Sequence, residues 1–413
     1  MNKPQIRFKG FEDKELSLYT LEDLGTWCKG QPLSKSDIIS GGSYPCIHYG
    51  ELFFYNELVN KINSFTNLTP IRTTSGKELL FPDSDVTPTG LGRCCTTEQP
   101  GVILGAGINI LSLSVPFNAH YCTLNIVRNN SQIIERISGT TVKHIHPKNL
   151  NEVKIAISSD IVEQISISKF FKQLDEMIAE AEREVNRLEK MKQASLQKMF
   201  PRPGASIPEI RFNGFVKDWS VTNLGSIGST YNGLSGKTKE DFGHGEARFV
   251  TYMNVFSNPI ANPFQVEAVE IDESQNAVKY GDILFTTSSE TPEEVGMSSV
   301  WQHNAAHVYL NSFCFGFRPT QTVHLNYIAY FLRSPFFRNN MVILAQGISR
   351  FNISKHKAME LPVLLPEISE QKAIGEFFRN LDALLSSKHQ KLTKLRNIKK
   401  ACLDKMFVNT SEL

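Results

Sequence analysis

Apolar residues from Leu174 onward recur on a 4-3-4-3 spacing: Leu174, Ile178, Ala181, Val185 and Leu188, with Met199 further along the same frame. Near the C-terminus Leu381, Leu385, Leu392, Leu395, Cys402 and Met406 keep the same frame. That spacing is the seam of a helix that packs on another helix. The stretches 171–200 and 378–407 contain no Gly or Pro to interrupt it. Each therefore predicts a helix of about 35 residues, about 50 Å long at ~1.5 Å per residue. A lone helix of that length would leave its apolar stripe wet, so the two are expected to pack on each other. The packing residues are expected to be Leu174, Ile178, Val185 and Leu188 against Leu381, Leu385, Leu392 and Leu395. Lys192 and Lys388 interrupt the two seams.

The two stretches are copies of one another. At an offset of 207, "FKQLDEMIAEAEREVNRLEKMKQASLQKMF" aligns with "FRNLDALLSSKHQKLTKLRNIKKACLDKMF". The pair shares Phe171/Phe378, Leu174/Leu381, Asp175/Asp382, Leu188/Leu395, Lys192/Lys399 and the closing Lys-Met-Phe, and Glu163-Gln164 precedes it as Glu370-Gln371. At an offset of 204 the openings match as well, "PQIRFKGF" from Pro4 against "PEIRFNGF" from Pro208. Mid-domain, Leu80-Phe81, Ser84, Thr87-Pro88 and Gly92 fall on Leu284-Phe285, Ser288, Thr291-Pro292 and Gly296. The chain is a tandem duplication of a globule followed by a helix.

Only "PRPGAS" separates Phe200 from the second opening, a reach of at most about 20 Å. The second globule is thus expected at the far end of the first helix, and its own helix should return antiparallel. The predicted fold is α+β: two globular α/β domains separated by two long antiparallel helices, with internal pseudo-twofold symmetry. The expected blocks are a first domain 1–157, a first spacer 158–203, a second domain 204–365 and a second spacer 366–413.

Composition is that of an ordinary globular protein, 41% hydrophobic and 21% charged. The uncharged stretch Gln99 to Val127 contains Pro100 and Pro116 and is expected to be a buried β core, with no membrane span. No apolar run follows the basic N-terminus, so no signal peptide is expected. Seven scattered cysteines without a C-x-x-C spacing point to reduced thiols in a cytoplasm.

Two inverted heads on a spacer suit duplex DNA, whose half-sites lie about one helical turn apart. They suit equally a coiled-coil adaptor with two protein-binding heads. Charge separates the two helices: 171–200 has six basic and six acidic residues, 371–407 nine basic and three acidic. The run Lys388, Lys391, Lys394, Arg396, Lys399, Lys400 is either a solvated face or a contact for phosphate or a partner protein.

Catalytic signals fail on inspection. "GKT" at 236–238 lacks the glycine a phosphate loop needs five residues before Gly236, where Tyr231 stands. His303 and His307 would share a helical face, but no Glu lies between them. "ANPFQV", with Asn262-Pro263-Phe264, lacks the second Pro of a methyl-transfer clamp, and Asp83 with Glu152-Val153-Lys154 has no supporting nuclease element.

The whole chain resembles the specificity subunit of type I restriction-modification enzymes. "LPVLLPEISEQKAIGEFFRNLDALL" at 361–385 carries the resemblance most strongly, with the "IRFKGF" and "IRFNGF" openings and the Leu24-Gly25 and Ile227-Gly228 that follow them. The first copy departs from the pattern, because "KIAISSDIVEQISI" lacks the Leu-Pro steps but keeps Glu163-Gln164. The resemblance implies a non-catalytic, cytoplasmic subunit in which each target-recognition domain reads half of a bipartite DNA site. It implies two methyltransferase subunits and ATP-dependent endonuclease subunits as partners. S-adenosylmethionine, ATP and Mg²⁺ would sit on those partners, and no cofactor or metal on this chain.

The base-reading residues are expected in the polar loops after each opening strand. In the first domain these are Lys29, Gln31, Ser34, Lys35, Tyr44, His48 and Tyr49; in the second, Tyr231, Asn232, Lys237, Thr238, Lys239 and Arg248. Lys, Gln and Asn have the donor and acceptor geometry for base edges. Glu78 and Ser84, with Asp282 and Ser288 at the matching places, are expected to form turns.

Overall fold

A computed structural model describes residues 3–114 and 117–410. Val115 and Pro116 of the expected β core, and the extreme ends of the first and last expected blocks, lie outside the described residues. The chain divides into two compact units, residues 1–182 with 391–413, and residues 183–390. Compactness thus cuts across the linear blocks: each unit takes part of both long helices, which run Ile161–Lys198 and Ile368–Met406.

In the first unit, β1 (Leu16–Thr20) pairs antiparallel with β10 (Lys154–Ser158), bringing the opening of the domain against its end. The central sheet has the order β2-β8-β5, from Gly25–Lys29, Ile108–Leu113 and Glu78–Pro82. Alternation on these strands feeds two apolar layers. Leu79, Phe81, Leu111 and Leu113 face a core shared with helix α1 (Ala119–Arg128), while Leu80, Ile108 and Ile110 face another with Ile47 and Leu52. A second small sheet joins β3 (Tyr44–Ile47) antiparallel to β4 (Ser64–Thr66) and parallel to β7 (Ile103–Leu104). Two-residue strands β6 (Ser84–Asp85) and β9 (Lys143–His144) make a last pair. The expected β core from Gln99 is therefore strand only at Ile103–Leu104 and Ile108–Leu113. Its later part is α1, where apolar residues are buried on nearly every side and leave no strand period to read.

The second unit repeats this plan. Strand β11 (Ser220–Asn223) pairs with β21 (Pro362–Leu365). The central sheet is β12-β19-β15-β17, from Gly228–Asn232, Cys314–Pro319, Ile283–Thr286 and Ser298–Val300. Ile283, Phe285, Phe315 and Phe317 face a core with helix α2 (Leu325–Phe331), and Leu284 and Cys314 face the other side. The small sheet joins β13 (Phe242–Val250) to β14 (Val266–Val269) antiparallel and to β18 (Val308–Leu310) parallel. Strands β16 (Ser288–Ser289) and β20 (Phe351–Asn352) form the last pair.

The twice-written Lys-Met-Phe ending has a packing reason. Met406 and Phe407 sit in the helix-side core of the first unit, with the Phe407 ring 6.1 Å from Phe171. Met199 and Phe200 sit in the corresponding core of the second, with Phe200 stacked 5.7 Å from Phe378. Each repeat's ending thus fills the core of the unit built on the other repeat's sheet, and each fully buried Phe contributes about 2–3 kcal/mol of transfer free energy.

Within each unit the long helices run antiparallel. In the first, Asp175 meets Lys399 at 2.8 Å and Glu182 meets Arg396 at 2.6 Å, over a seam of Leu174, Ile178, Ala181, Leu392 and Leu395. In the second, Glu184 meets Lys388 at 2.6 Å and Lys192 meets Asp382 at 2.5 Å, over Leu188, Leu381 and Leu385, with Val185 also buried. The two lysines that interrupt the seams are thereby each satisfied by a carboxylate of the facing helix.

Candidate nucleic-acid interface

Each central sheet begins at a glycine that packing requires. A Cβ on Gly25 would lie 2.0 Å from the Ser112 carbonyl oxygen, and one on Gly228 2.4 Å from that of Arg318. Register from these points sets the strand ends, which are Lys29 on β2 and Asn232 on β12. Both therefore stand on strands, not in the loops that follow. Lys29 Nζ is 2.8 Å from Asp83 Oδ2, and Lys355 Nζ donates to Asn232 Oδ1.

Beyond the strands the two units make the same turn. The Ser34 N–H and O–H donate to Asp37 Oδ2 at 2.7 and 2.6 Å, and those of Thr238 donate to Asp241 Oδ2 at 2.6 and 3.0 Å. Each carboxylate closes a single turn with a lysine as its second residue, so Lys35 and Lys239 are exposed at equivalent places. The equivalence was available in the sequence, because Ser34-Lys35 and Asp37 fall on Thr238-Lys239 and Asp241 at the offset of 204.

The other expected readers divide. Tyr44 and Arg248 are exposed, although Arg248 also donates to the carbonyls of Gly245 and Ala247 at 2.9 and 2.8 Å. Gln31 is engaged inside its own loop, donating to Thr69 O at 3.2 Å and accepting from Ile71 N–H at 2.9 Å. His48 is no surface reader: it is buried, its Nδ1 accepts the Gly50 N–H at 3.1 Å, and its ring packs on half-buried Tyr49. Lys237 Nζ is held 2.8 Å from Asp272.

Tyr231 belongs to a part-buried network around buried Asp282. Its hydroxyl donates to Asp282 Oδ2 at 2.7 Å, and Arg318 binds the same carboxylate through two nitrogens at 2.8 and 2.7 Å while lying over the Tyr231 ring. Burial, and then the Asp282 charge, push the Tyr231 hydroxyl pKa far up, so it stays a donor. Asp282 is thus more than a turn former, although it does take the Lys279 N–H at 2.8 Å. Glu78 closes the matching turn in the first unit, accepting the backbone N–H groups of Ser75, Gly76 and Lys77.

His303 and His307 lie in irregular chain, with His303 Nε2 2.9 Å from Ala261 O and His307 3.6 Å from Glu273. No group of three metal-ligating side chains occurs among the described residues, and among these no helix is long and apolar enough to cross a membrane. The basic run of the second long helix is half consumed internally. Lys388, Arg396 and Lys399 hold carboxylates, whereas Lys391, Lys394 and Lys400 are exposed.

The fold and these surfaces define a class: a tandem-duplicated α+β protein whose sheet domains are each completed by long antiparallel helices. Residues 216–397 match the family model of the type I restriction modification DNA specificity domain. The chain is 19% identical over 374 residues to the MjaVIII specificity subunit of Methanocaldococcus jannaschii, covering 88% of this chain and 85% of that one. It is 31% identical over 130 residues to the StySPI specificity subunit of Salmonella potsdam, 32% of this chain and 28% of that one. Among solved structures, the type I restriction-modification S subunit of M. genitalium superposes with a TM-score of 0.62 at 16% identity, over 99% of this chain and all of that one. A chain from a structural study of assembly and conformational transition in the type I R-M system does so at 0.54 and 13% identity, over 95% and 97%. The second repeat thus matches a type I DNA specificity domain, and the chain as a whole is similar in sequence and fold to type I specificity subunits.

Proposed function

We propose that this chain supplies sequence recognition to a type I restriction-modification complex, each repeat reading one half of a bipartite, asymmetric duplex target. The long helices set the gap between the half-sites. The observation that carries this reading is the duplication itself: the same sheets, turns and exposed lysines occur twice in one chain, on surfaces whose sequences differ. Two methyltransferase subunits and ATP-dependent endonuclease subunits are its proposed partners in the cytoplasm. Catalysis, with S-adenosylmethionine, ATP and Mg²⁺, is assigned to those partners.

The test is genome-wide adenine methylation in cells co-expressing this chain with a cognate methyltransferase subunit, beside cells lacking it. The expected result is a new bipartite motif with a fixed gap. Assembly of the two proteins without any new motif would overturn the reading and leave a protein-binding adaptor in its place.

A further inference from the structure

Two hairpins outside the expected reading loops share one frame. In the first unit Ser138 and His144 pair across a short loop through N–H to O bonds of 3.1 and 2.8 Å; in the second, Gln346 and Asn352 do so at 3.0 and 2.9 Å. Each loop turns on a glycine in the left-handed half of backbone space, Gly139 at φ 107° and Gly347 at φ 148°. A Cβ there would lie 2.2 Å from Val142 O or 2.0 Å from Arg350 O. Each hairpin is then stitched to the strand pair below it through Ser84 opposite His144 and Ser288 opposite Asn352. The next residue anchors in the same way, Ile145 N–H to Asp83 O at 3.0 Å and Ile353 N–H to Thr287 O at 3.1 Å.

The frame is constant and the tips differ. Thr140, Thr141 and Val142 stand where Ile348, Ser349 and Arg350 stand in the other unit, all of them exposed. Ile348 is 98% exposed. A rigid frame under an exposed, variable tip is how scaffolds present specificity.

Charge supplies the second observation. Asp and Glu make up 42 of 413 residues, about one in ten, yet neither occurs in 136–151 or in 295–359. The hairpins lie in these two acid-free stretches, with exposed His144, His146 and Lys148 behind one tip and Arg350, His356 and Lys357 around the other. Several nearby carboxylates are engaged, Asp83 with Lys29, Asp85 with Val86 N–H and the Thr87 hydroxyl, Glu294 with the Ser289 hydroxyl, and Glu360 with His356, while exposed Glu290 lines one pocket with Arg350. The segments that follow both hairpins also reach the ends of the opening strands. Asp83 joins Lys29 to Ile145, and Lys355 bonds Asn232.

We infer that these two hairpins, with the basic residues behind them, are the elements by which each unit engages duplex DNA. The tips meet base edges, where Thr hydroxyls bond and the Ile348 side chain suits a thymine methyl group or a wedge between base steps. Lys148 and Lys357 meet phosphates, whose contacts release counterions. This inference rests on the DNA-reading function proposed above.

The test uses the chain assembled with its methyltransferase subunits and a duplex carrying the motif that its methylation reveals. Lys148→Ala and Lys357→Ala are each expected to weaken binding about three- to tenfold and to lower the slope of log affinity against log salt by about 1. Ile348→Asp, which places a carboxylate at the tip, is expected to weaken binding at least about tenfold in ~0.15 M salt. Thr141→Asp repeats that test in the other unit and covers any failure of Ile348→Asp to fold. Assembled variants with unchanged affinity and salt slope would overturn the hairpin assignment while leaving the DNA-reading function standing. An unaltered complex that methylates no motif and binds no duplex would overturn both.

Discussion

Arg7 and Glu163 meet across 156 positions of sequence as a two-point ion pair, Nε to Oε1 at 2.6 Å and Nη2 to Oε2 at 2.7 Å. Arg211 and Glu370 repeat it at 2.6 and 2.7 Å. The neighbouring glutamines repeat too: Gln164 accepts the Asn118 N–H and donates to Ser158 O, and Gln371 accepts the His324 N–H and donates to Pro366 O. The Ile-Arg-Phe opening and the Glu-Gln pair are thus two halves of one clamp, tying each domain's start to the helix that closes it.

Glu163 and Glu370 are nearly inaccessible, so removing either leaves an arginine without its partner in a buried setting. Glu163→Ala and Glu370→Ala are each expected to cost about 3–5 kcal/mol. Urea unfolding checks this. The Arg7→Ala, Glu163→Ala double variant should lose less than the sum of the singles, because the stranded charge is gone.

Two of the cross-helix pairs, Lys399 with Asp175 and Lys192 with Asp382, differ in burial, and that sets unequal costs. Lys399 lies between Glu57 at 2.6 Å and Asp175 at 2.8 Å, with little exposure of any of the three. Burial raises the Asp175 pKa; at Glu57 burial acts in the same direction, but the Lys399 charge wins and lowers it. Lys399→Ala is therefore expected to cost about 3–5 kcal/mol. Lys192 and Asp382 retain more solvent, and Lys192→Ala should cost under about 1 kcal/mol. Denaturant midpoints of the two variants, compared at equal slope, decide it.

His120 makes the first unit acid-sensitive. Its Nδ1 lies 3.0 Å from Ser168 Oγ, its Nε2 is buried with no hydrogen-bond partner among the described residues, and burial pushes its pKa down to about 4. The charges acting on it are Glu57, Glu98, Lys399 and Lys172. The unfolded chain takes up this proton near pH 6.5 and the folded chain only near 4, so the unfolded state binds more protons between them. Stability is lost as pH falls through that window, by up to about 3 kcal/mol. His120→Gln should flatten the dependence of unfolding free energy on pH between about 6.5 and 4.

Gly375 lies inside the second long helix, where Ala is ordinarily better by about 1 kcal/mol. A Cβ there would meet Tyr327 N at 2.6 Å and Asn326 Cβ at 2.8 Å. Gly375→Ala is therefore expected to lower thermal stability against its helix propensity, by about 1–3 kcal/mol. A rise in melting temperature would show that α2 can move away.

Lys35 and Lys239 occupy one turn in two units, which allows a test of independent reading. Lys35→Ala should weaken or relax one half of the methylated motif alone, and Lys239→Ala the other half alone. Sequencing of methylated sites in cells carrying each variant reads this out, and equal loss at both halves would argue against separate heads.

The seam leucines, the duplication and the direction of the long helices were legible because each depends on short-range period or on one copy matching another. Leu174 and Leu395 could be placed by counting residues, since a helix repeats its faces whatever surrounds it. Local pattern did not reveal what the polar residues bind. Nothing in the loop around Lys237 names Asp272 as its partner, nothing near Tyr231 names Asp282 and Arg318, and His48 looked like a surface residue although the fold buries it and its ring nitrogen accepts the Gly50 N–H. The acid-free stretches were countable in sequence, but only the folded hairpins show that Lys148 and Lys357 stand outside while Arg333, in the same stretch, donates to the carbonyls of Val255, Phe256, Asn258 and Ser298. Sequence by itself determined the repeat and its helices, because periodicity and self-similarity are properties of the chain. Tertiary structure decided which charges remain free to meet a ligand, because a side chain's partner is chosen by residues that are distant in sequence and near in space.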